Sequence, residues 1–147
     1  MSVVLRELLP HAGAMCLLDV VESFDAQNIC CRASSHRDKA NPLCRAGRLP
    51  VFAGIEYAAQ AVAVHGGLLA RHAGAGAAPR GGMIAVLTDV SWTVDYLDDI
   101  AADLHASAEK LADLADGLCY RFTLAAADKV LLQGELIVAL QPMGEAA

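Results

Sequence analysis

Apolar residues recur along this chain with two different periods. Between Gly54 and His72, Ile55, Tyr57, Ala58, Ala59, Ala61, Val62, Ala63, Val64, Leu68 and Leu69 cover nearly every side of a helix. A helix that is apolar all round is one that other elements enclose. Only Glu56 and Gln60 interrupt its first half, and a spacing of four residues puts them on one face. Ahead of this helix, Met15–Phe24 and Asn28–Ser35 alternate as strands do, with Asp25-Ala26-Gln27 as the hairpin turn between them. Behind it, Met83–Val90, Leu104–Ala112, Leu118–Ala126 and Val130–Leu140 read as four more strands. Asp95–Asp99, Asp113–Gly117 and Asp128-Lys129 supply turns between them. Ile100–Asp116 has enough alanine to be helical on propensity alone, but Leu104, Ala106 and Ala108 alternate, which favours a strand.

The remaining segments are punctuated by proline and glycine. Ser2–Leu9 reads as a short helix stopped by Pro10, because proline holds the residue before it away from helical backbone. His11–Met15 is a small-residue loop, and Ala73–Gly82 is a Gly/Ala-rich break or lid. His36–Pro50 is a long loop, and loops of that length in a small domain usually carry function. Two strands, one long helix and an antiparallel meander predict an α+β fold in which a sheet wraps around the helix to bury it.

Composition narrows the class. The 147 residues make one domain, with a core large enough to need neither a disulfide nor a metal staple. Hydrophobic residues are 56% and charged residues 19%, and the mean hydropathy is +0.41. No uninterrupted apolar run reaches the ~18 residues of a membrane span, so the surplus apolar surface predicts an oligomer interface, most simply a dimer. The net charge of −6 argues against nucleic acid as a partner. That charge is unevenly distributed. Arg32, Arg37, Lys39, Arg45 and Arg48 face a single acid, Asp38, between Cys30 and Arg48, whereas eleven acids stand against Lys110, Arg121 and Lys129 from Asp89 onward. The basic stretch is either a surface for an anionic partner or a solvated loop. Cys16, Cys30, Cys31, Cys44 and Cys119 form no CxxC pair, and no histidine stands at metal-ligand spacing, so no metal is expected. Thiols used as small hydrophobes, and an N-terminus interrupted by Arg6, Glu7 and Pro10, fit a cytoplasmic protein.

Several short stretches in this layout carry a resemblance. Leu8-Leu9-Pro10-His11 followed by Leu17-Leu18-Asp19 is similar to an LPH…LLVD opening. Asn41–Pro50 (NPLCRAGRLP) aligns without gaps to NEPFF-x-GHFP, and Ala53–Ala61 is similar to the helix start PGV…E-A-x-A-Q. Together they resemble the hotdog-fold 3-hydroxyacyl-ACP dehydratases of fatty-acid and polyketide synthesis, above all the dehydratase-like proteins of aryl-polyene pathways. The resemblance implies a hotdog fold, no cofactor beyond the phosphopantetheine of an acyl carrier protein, and a site shared between two subunits. It also exposes two departures. Arg48 stands where the family has its catalytic histidine, and the stretch from there to the helix acid is shorter by about six residues.

Dehydration of a 3-hydroxyacyl thioester needs a base for the α-proton, an acid for the departing hydroxyl and donors for the thioester oxygen. Glu56 is the expected acid, because a carboxyl on an apolar helix loses solvation and keeps its proton more readily; Gln60 can orient it. The alternatives are a Glu56 that faces solvent or pairs structurally with Arg48. Gly54, at the helix start, is the expected oxyanion donor through its backbone N–H, or else is needed only for chain entry. Arg48 stays protonated and cannot be the base. It can instead anchor a phosphopantetheine phosphate, hold Glu56 ionised or polarise the thioester. The base is then His36 or His11, or it comes from a related hotdog subunit across the interface, the reading we favour over His36; the sequence leaves homodimer and heterodimer open. His65 is expected in the core or an interface, and His72 and His105 on the surface. Trp92 is open between the sheet edge and an acyl tunnel. The basic stretch with Arg71 and Arg80 is the expected docking surface for the acidic carrier protein. Two other functions share these residues: a thioesterase using Glu56 as base, and a catalytically silent partner subunit.

Overall fold

The computed structural model describes residue 5, residues 15–74 and residues 82–140. Strands β1 (Val20–Phe24) and β2 (Asn28–Ala33) form a hairpin whose turn is fixed by Asp25, where the carboxylate accepts the N–H groups of Gln27 and Asn28. Two 3₁₀ turns follow, Ser35–Arg37 and Val51–Ala53, and the second runs directly into helix α1 (Gly54–His72). Strands β3 (Gly82–Trp92), β4 (Leu104–Leu114), β5 (Gly117–Ala126) and β6 (Lys129–Leu140) complete a six-stranded antiparallel sheet in the order β1-β2-β4-β5-β6-β3.

The helix lies on one face of this sheet. Tyr57, Ala58, Ala61, Val62, Val64 and Leu68 pack in one core with Tyr120, Phe122, Leu124 and Leu132. Gly54 lets the backbone come this close, because a Cβ there would lie 2.7 Å from Leu124 Cδ2 and 2.8 Å from Leu132 Cδ2. The helix is not enclosed on every side. Glu56, Ala59, Ala63, Gly66 and Ala70 stay half-exposed along one stripe.

Three expectations change. The strand predicted from Met15 starts only at Val20, because Leu17 gives its N–H to the Gln60 side chain instead of to a neighbouring strand. Ser34 and Ser35 leave β2 for the first 3₁₀ turn. Strand β3 does not begin the meander beside β4; it crosses to the far edge and pairs with β6 alone, while β4 takes the place next to β2. The strand reading of Leu104–Ala112 holds, since Leu104, Ala106 and Ala108 are buried and alternate with half-exposed residues. The predicted Ser2–Leu9 helix and the Gly/Ala-rich part of Ala73–Gly82 lie largely outside the described residues.

As an edge strand, β3 is unusual for its apolar exposure. Met83 is 72% exposed, and Val86, Leu87 and Trp92 are each more than a third exposed. Phe52, from the 3₁₀ turn before α1, meets Trp92 edge-to-face at 4.8 Å and is itself 48% exposed. This apolar margin therefore reaches from the sheet edge to the start of the helix. Among the described residues no helix is long and apolar enough to cross a membrane.

Candidate active site

Glu56 stands in the first turn of α1, half-buried, at the end where the helix dipole is positive. Gln60 lies one turn further on and is buried. Its Oε1 accepts the Leu17 N–H at 2.9 Å, and its Nε2 donates to Met15 O at 2.5 Å and to Glu56 Oε1 at 3.4 Å. A backbone N–H can only donate, so Leu17 fixes which end of the Gln60 amide faces Glu56. Sequence spacing had brought these two side chains together, and the fold does too.

The backbone N–H of Gly54 is not the free donor expected at a helix start. It points back to Val51 O and Phe52 O inside the 3₁₀ turn that precedes α1. The glycine instead serves the close packing of helix on sheet.

Arg48 is held by neighbours distant in sequence. Its Nε donates to Asp98 Oδ2 at 2.8 Å and its Nη2 to Asp99 Oδ1 at 2.9 Å, with the guanidinium 3.9 Å over the Tyr96 ring. Asp98 also accepts the Leu49 N–H, and Leu97 N–H donates to Leu49 O, so the residues around Arg48 are stitched to the loop at 95–100. Two carboxylates and an aromatic face already hold this cation, which corrects the reading that pairs it with Glu56.

The same acidic loop neutralises much of the basic stretch. Arg37 donates to Ala101 O and pairs with Asp103 at 2.7 Å, and Arg32 reaches Glu22 and Asp103 at 3.7 Å each. The hydrogen bond from Arg37 holds the Asp103 carboxyl below its usual range. Charge that is segregated along the chain is thus interleaved in space. Among the described residues, Lys39 and Arg45 have no acidic partner; Arg80 lies outside them.

Histidines sort by burial. His36 is 1% exposed, with Nε2 3.0 Å from both Ile100 O and Ala102 O, which requires its proton on Nε2. It braces the two loops from inside, and so sealed a ring is no base for an incoming substrate, contrary to expectation. His65 is fully buried: Nε2 donates to Asp25 O at 2.8 Å, and Nδ1 accepts the Tyr120 hydroxyl at 2.5 Å. His72 is exposed at the far end of α1, about 24 Å along the axis from Glu56. His105 sits on the sheet face away from the helix, 3.2 Å from Glu22. His11 lies outside the described residues.

Burial pushes the pKa of His36 and of His65 below the ordinary imidazole value. Arg37 adds to the effect at His36 and Lys110 at His65, against the carbonyl acceptors and Asp103 or Asp25, which oppose it. The unfolded chain therefore binds protons that the folded chain refuses. Stability from these two groups is complete above pH ~6.5, the unfolded value, and falls as the pH drops below it. Urea midpoints measured at pH 7.5 and 5.5 should show the lower value at 5.5; equal midpoints would show that neither ring is held neutral.

Sequence reasoning overlooked a buried polar hub beside Glu56. Tyr57 is fully buried, and its hydroxyl lies 2.7 Å from Ser35 Oγ and 3.1 Å from Asn41 Nδ2. Ser35 Oγ donates to Leu17 O at 2.8 Å, and Asn41 Nδ2 also reaches Ser35 O at 3.0 Å. Burial raises the Tyr57 pKa, which keeps the phenol protonated and able to donate. The available signal was a polar-tipped aromatic in an otherwise apolar helix, since a buried hydroxyl requires a partner.

A six-stranded antiparallel sheet wrapped against one long helix is the hotdog fold, with a carboxylate and a glutamine at the helix start. Residues 3–146 match the ApeP-like family, described as ApeP dehydratase, and the chain belongs to that family. Among solved structures it is similar to the dehydratase heterocomplex ApeI:P from Xenorhabdus doucetiae, at 22% identity and a TM-score of 0.86, covering 99% of this chain and 95% of that one. Less similar are an HP0420 homologue from Helicobacter felis (12% identity, TM-score 0.62, covering 95% and 89%) and a hypothetical thioesterase with coenzyme A from Streptococcus pneumoniae TIGR4 (8%, 0.56, 83% and 84%). A search of curated proteins gives no match.

Proposed function

We propose that this chain is one subunit of a 3-hydroxyacyl-[acyl-carrier-protein] dehydratase of aryl-polyene type, and that a related hotdog subunit supplies its base. The observation that carries the reading is a carboxyl at the helix start, oriented by Gln60. Glu56 stands half-buried at the helix start, whereas the four described histidines are sealed in the core, at the far end of α1 or on the opposite sheet face. The exposed apolar margin of β3, Trp92 and Phe52 supports a partner subunit, as does likeness to a protein solved as a heterocomplex.

In this mechanism the partner's base removes the α-proton of the thioester. The electron pair of that C–H bond forms the Cα=Cβ bond, the C–O bond breaks, and Glu56 gives its proton to the leaving hydroxyl, which departs as water. Glu56 is left as a carboxylate, and proton exchange with solvent resets both groups. The acyl chain arrives on phosphopantetheine, so the subunit needs no cofactor of its own. Lys39 and Arg45 are the docking points for the acidic carrier protein, because the other cations of that loop already face carboxylates.

The test is reconstitution. The chain alone, a histidine-bearing hotdog homologue alone and their mixture are each given a 3-hydroxyacyl carrier protein, with enoyl thioester and free thiol measured separately. We expect the chain alone to be silent and the mixture to form enoyl product. Full dehydration by the isolated chain would overturn the shared site, and thiol release without enoyl product would make the protein a hydrolase.

A further inference from the structure

A hydrogen-bonded circuit leaves α1 at Tyr57, returns to it at Gln60 and ends on Glu56. It runs from Tyr57 OH to Ser35 Oγ (2.7 Å), from Ser35 Oγ to Leu17 O (2.8 Å), from Leu17 N–H to Gln60 Oε1 (2.9 Å), and from Gln60 Nε2 to Glu56 Oε1 (3.4 Å). Directions along it are fixed. Leu17 O can only accept, so Ser35 spends its single proton there and must accept from Tyr57. Asn41 Nδ2 donates to Tyr57 in turn, because Asn41 Oδ1 is occupied by the Leu43 N–H. Leu17 is thereby held at both backbone groups: Ser35 grips its carbonyl and Gln60 its N–H. That grip leaves the Gln60 amide one orientation, with N–H facing Glu56. The Glu56 carboxyl is thereby held through Oε1 by an amide that cannot turn.

We propose that Tyr57 is a positioning residue of the dehydratase site, acting through Ser35, Leu17 and Gln60 to fix the orientation of the Glu56 carboxyl. The inference rests on the proposed dehydratase reading and adds to it a residue that touches neither substrate nor Glu56 through its hydroxyl. Loss of the hydroxyl leaves Ser35 with one partner fewer, frees Leu17 to shift and lets the Gln60 amide turn. A long contact of 3.4 Å is easily lost, and misplacement of a reacting group by about 1 Å costs on the order of 10²-fold in rate.

The experiment uses the active mixture of this chain with its histidine-bearing partner and compares Tyr57→Phe, Ser35→Ala, Tyr120→Phe and Glu56→Gln. Tyr120→Phe is the control, since it deletes another buried phenol hydroxyl, one bonded to His65 midway along α1. We expect Tyr57→Phe and Ser35→Ala each to lower kcat about 10- to 100-fold with KM little changed, and to displace the pH–rate profile. Tyr120→Phe should lose comparable stability while keeping both kcat and the profile. If Glu56→Gln is inactive but Tyr57→Phe matches Tyr120→Phe in kcat and pH profile, the positioning role is wrong and the dehydratase reading stands. If Glu56→Gln keeps full activity, both fall.

Discussion

Replacing Glu56 with glutamine is expected to lower kcat for dehydration by about 10²- to 10⁴-fold in the reconstituted complex, the range for removing a general acid. Glutamine keeps the shape of the side chain and an oxygen that can accept from Gln60, so the helix start should be undisturbed. What it lacks is a proton to give. Because the loss is confined to the transition state, kcat and kcat/KM should fall together and KM should change little. Glu56→Asp supplies a useful intermediate: it retains the acid but withdraws it by one methylene, and should recover part of the rate. Steady-state enoyl formation, with size-exclusion chromatography to verify that the complex is intact, decides the matter. A Glu56→Gln complex with more than a tenth of the parental kcat would remove this carboxyl from the chemistry.

The parts of this argument that sequence made legible are local ones. Helix α1 spans Gly54–His72 as its apolar pattern predicts, and Glu56 and Gln60 meet because four residues make about one turn. The turn at Asp25 and the strands after residue 100 follow from equally short-range signals. What sequence concealed is set by distant partners. Arg48 meets Asp98 and Asp99 about fifty positions away, and no local pattern announces that loop-to-loop pairing. His36 owes its burial to carbonyls at 100 and 102. Gly54 gave the right element with the wrong role, since whether a helix-start N–H is free depends on the turn before it, here a 3₁₀ turn that takes it up. The place of β3 was hidden for a different reason. Its alternation is equally compatible with β4 or β6 as neighbour, and only the pairing of β4 with β2 excludes the first.

Trp92→Ala should weaken assembly with the partner subunit at least about 30-fold in Kd, because a large aromatic at the centre of a contact commonly contributes 2 kcal/mol or more. The isolated chain should barely register the change. Trp92 is 49% exposed, so its removal costs little core burial and the unfolding free energy should move by only about 1 kcal/mol. Val86→Lys makes the same point by a different route. Val86 is 44% exposed on the edge strand, and a lysine there is harmless in water but forces a charge into any apolar contact with a second sheet edge. The two residues lie at different positions along β3, separated by the register irregularity between Thr88 and Ser91, so an interface that uses the whole strand must feel both substitutions. Sedimentation equilibrium or titration of labelled partner measures the Kd, and thermal unfolding of the separate chain controls for folding. Sensitivity to Trp92→Ala alone would shift the contact toward Phe52 and the helix start, next to Glu56. Indifference to both would mean that the partner meets another surface, and the base it brings would then have to reach Glu56 across the half-exposed stripe of α1.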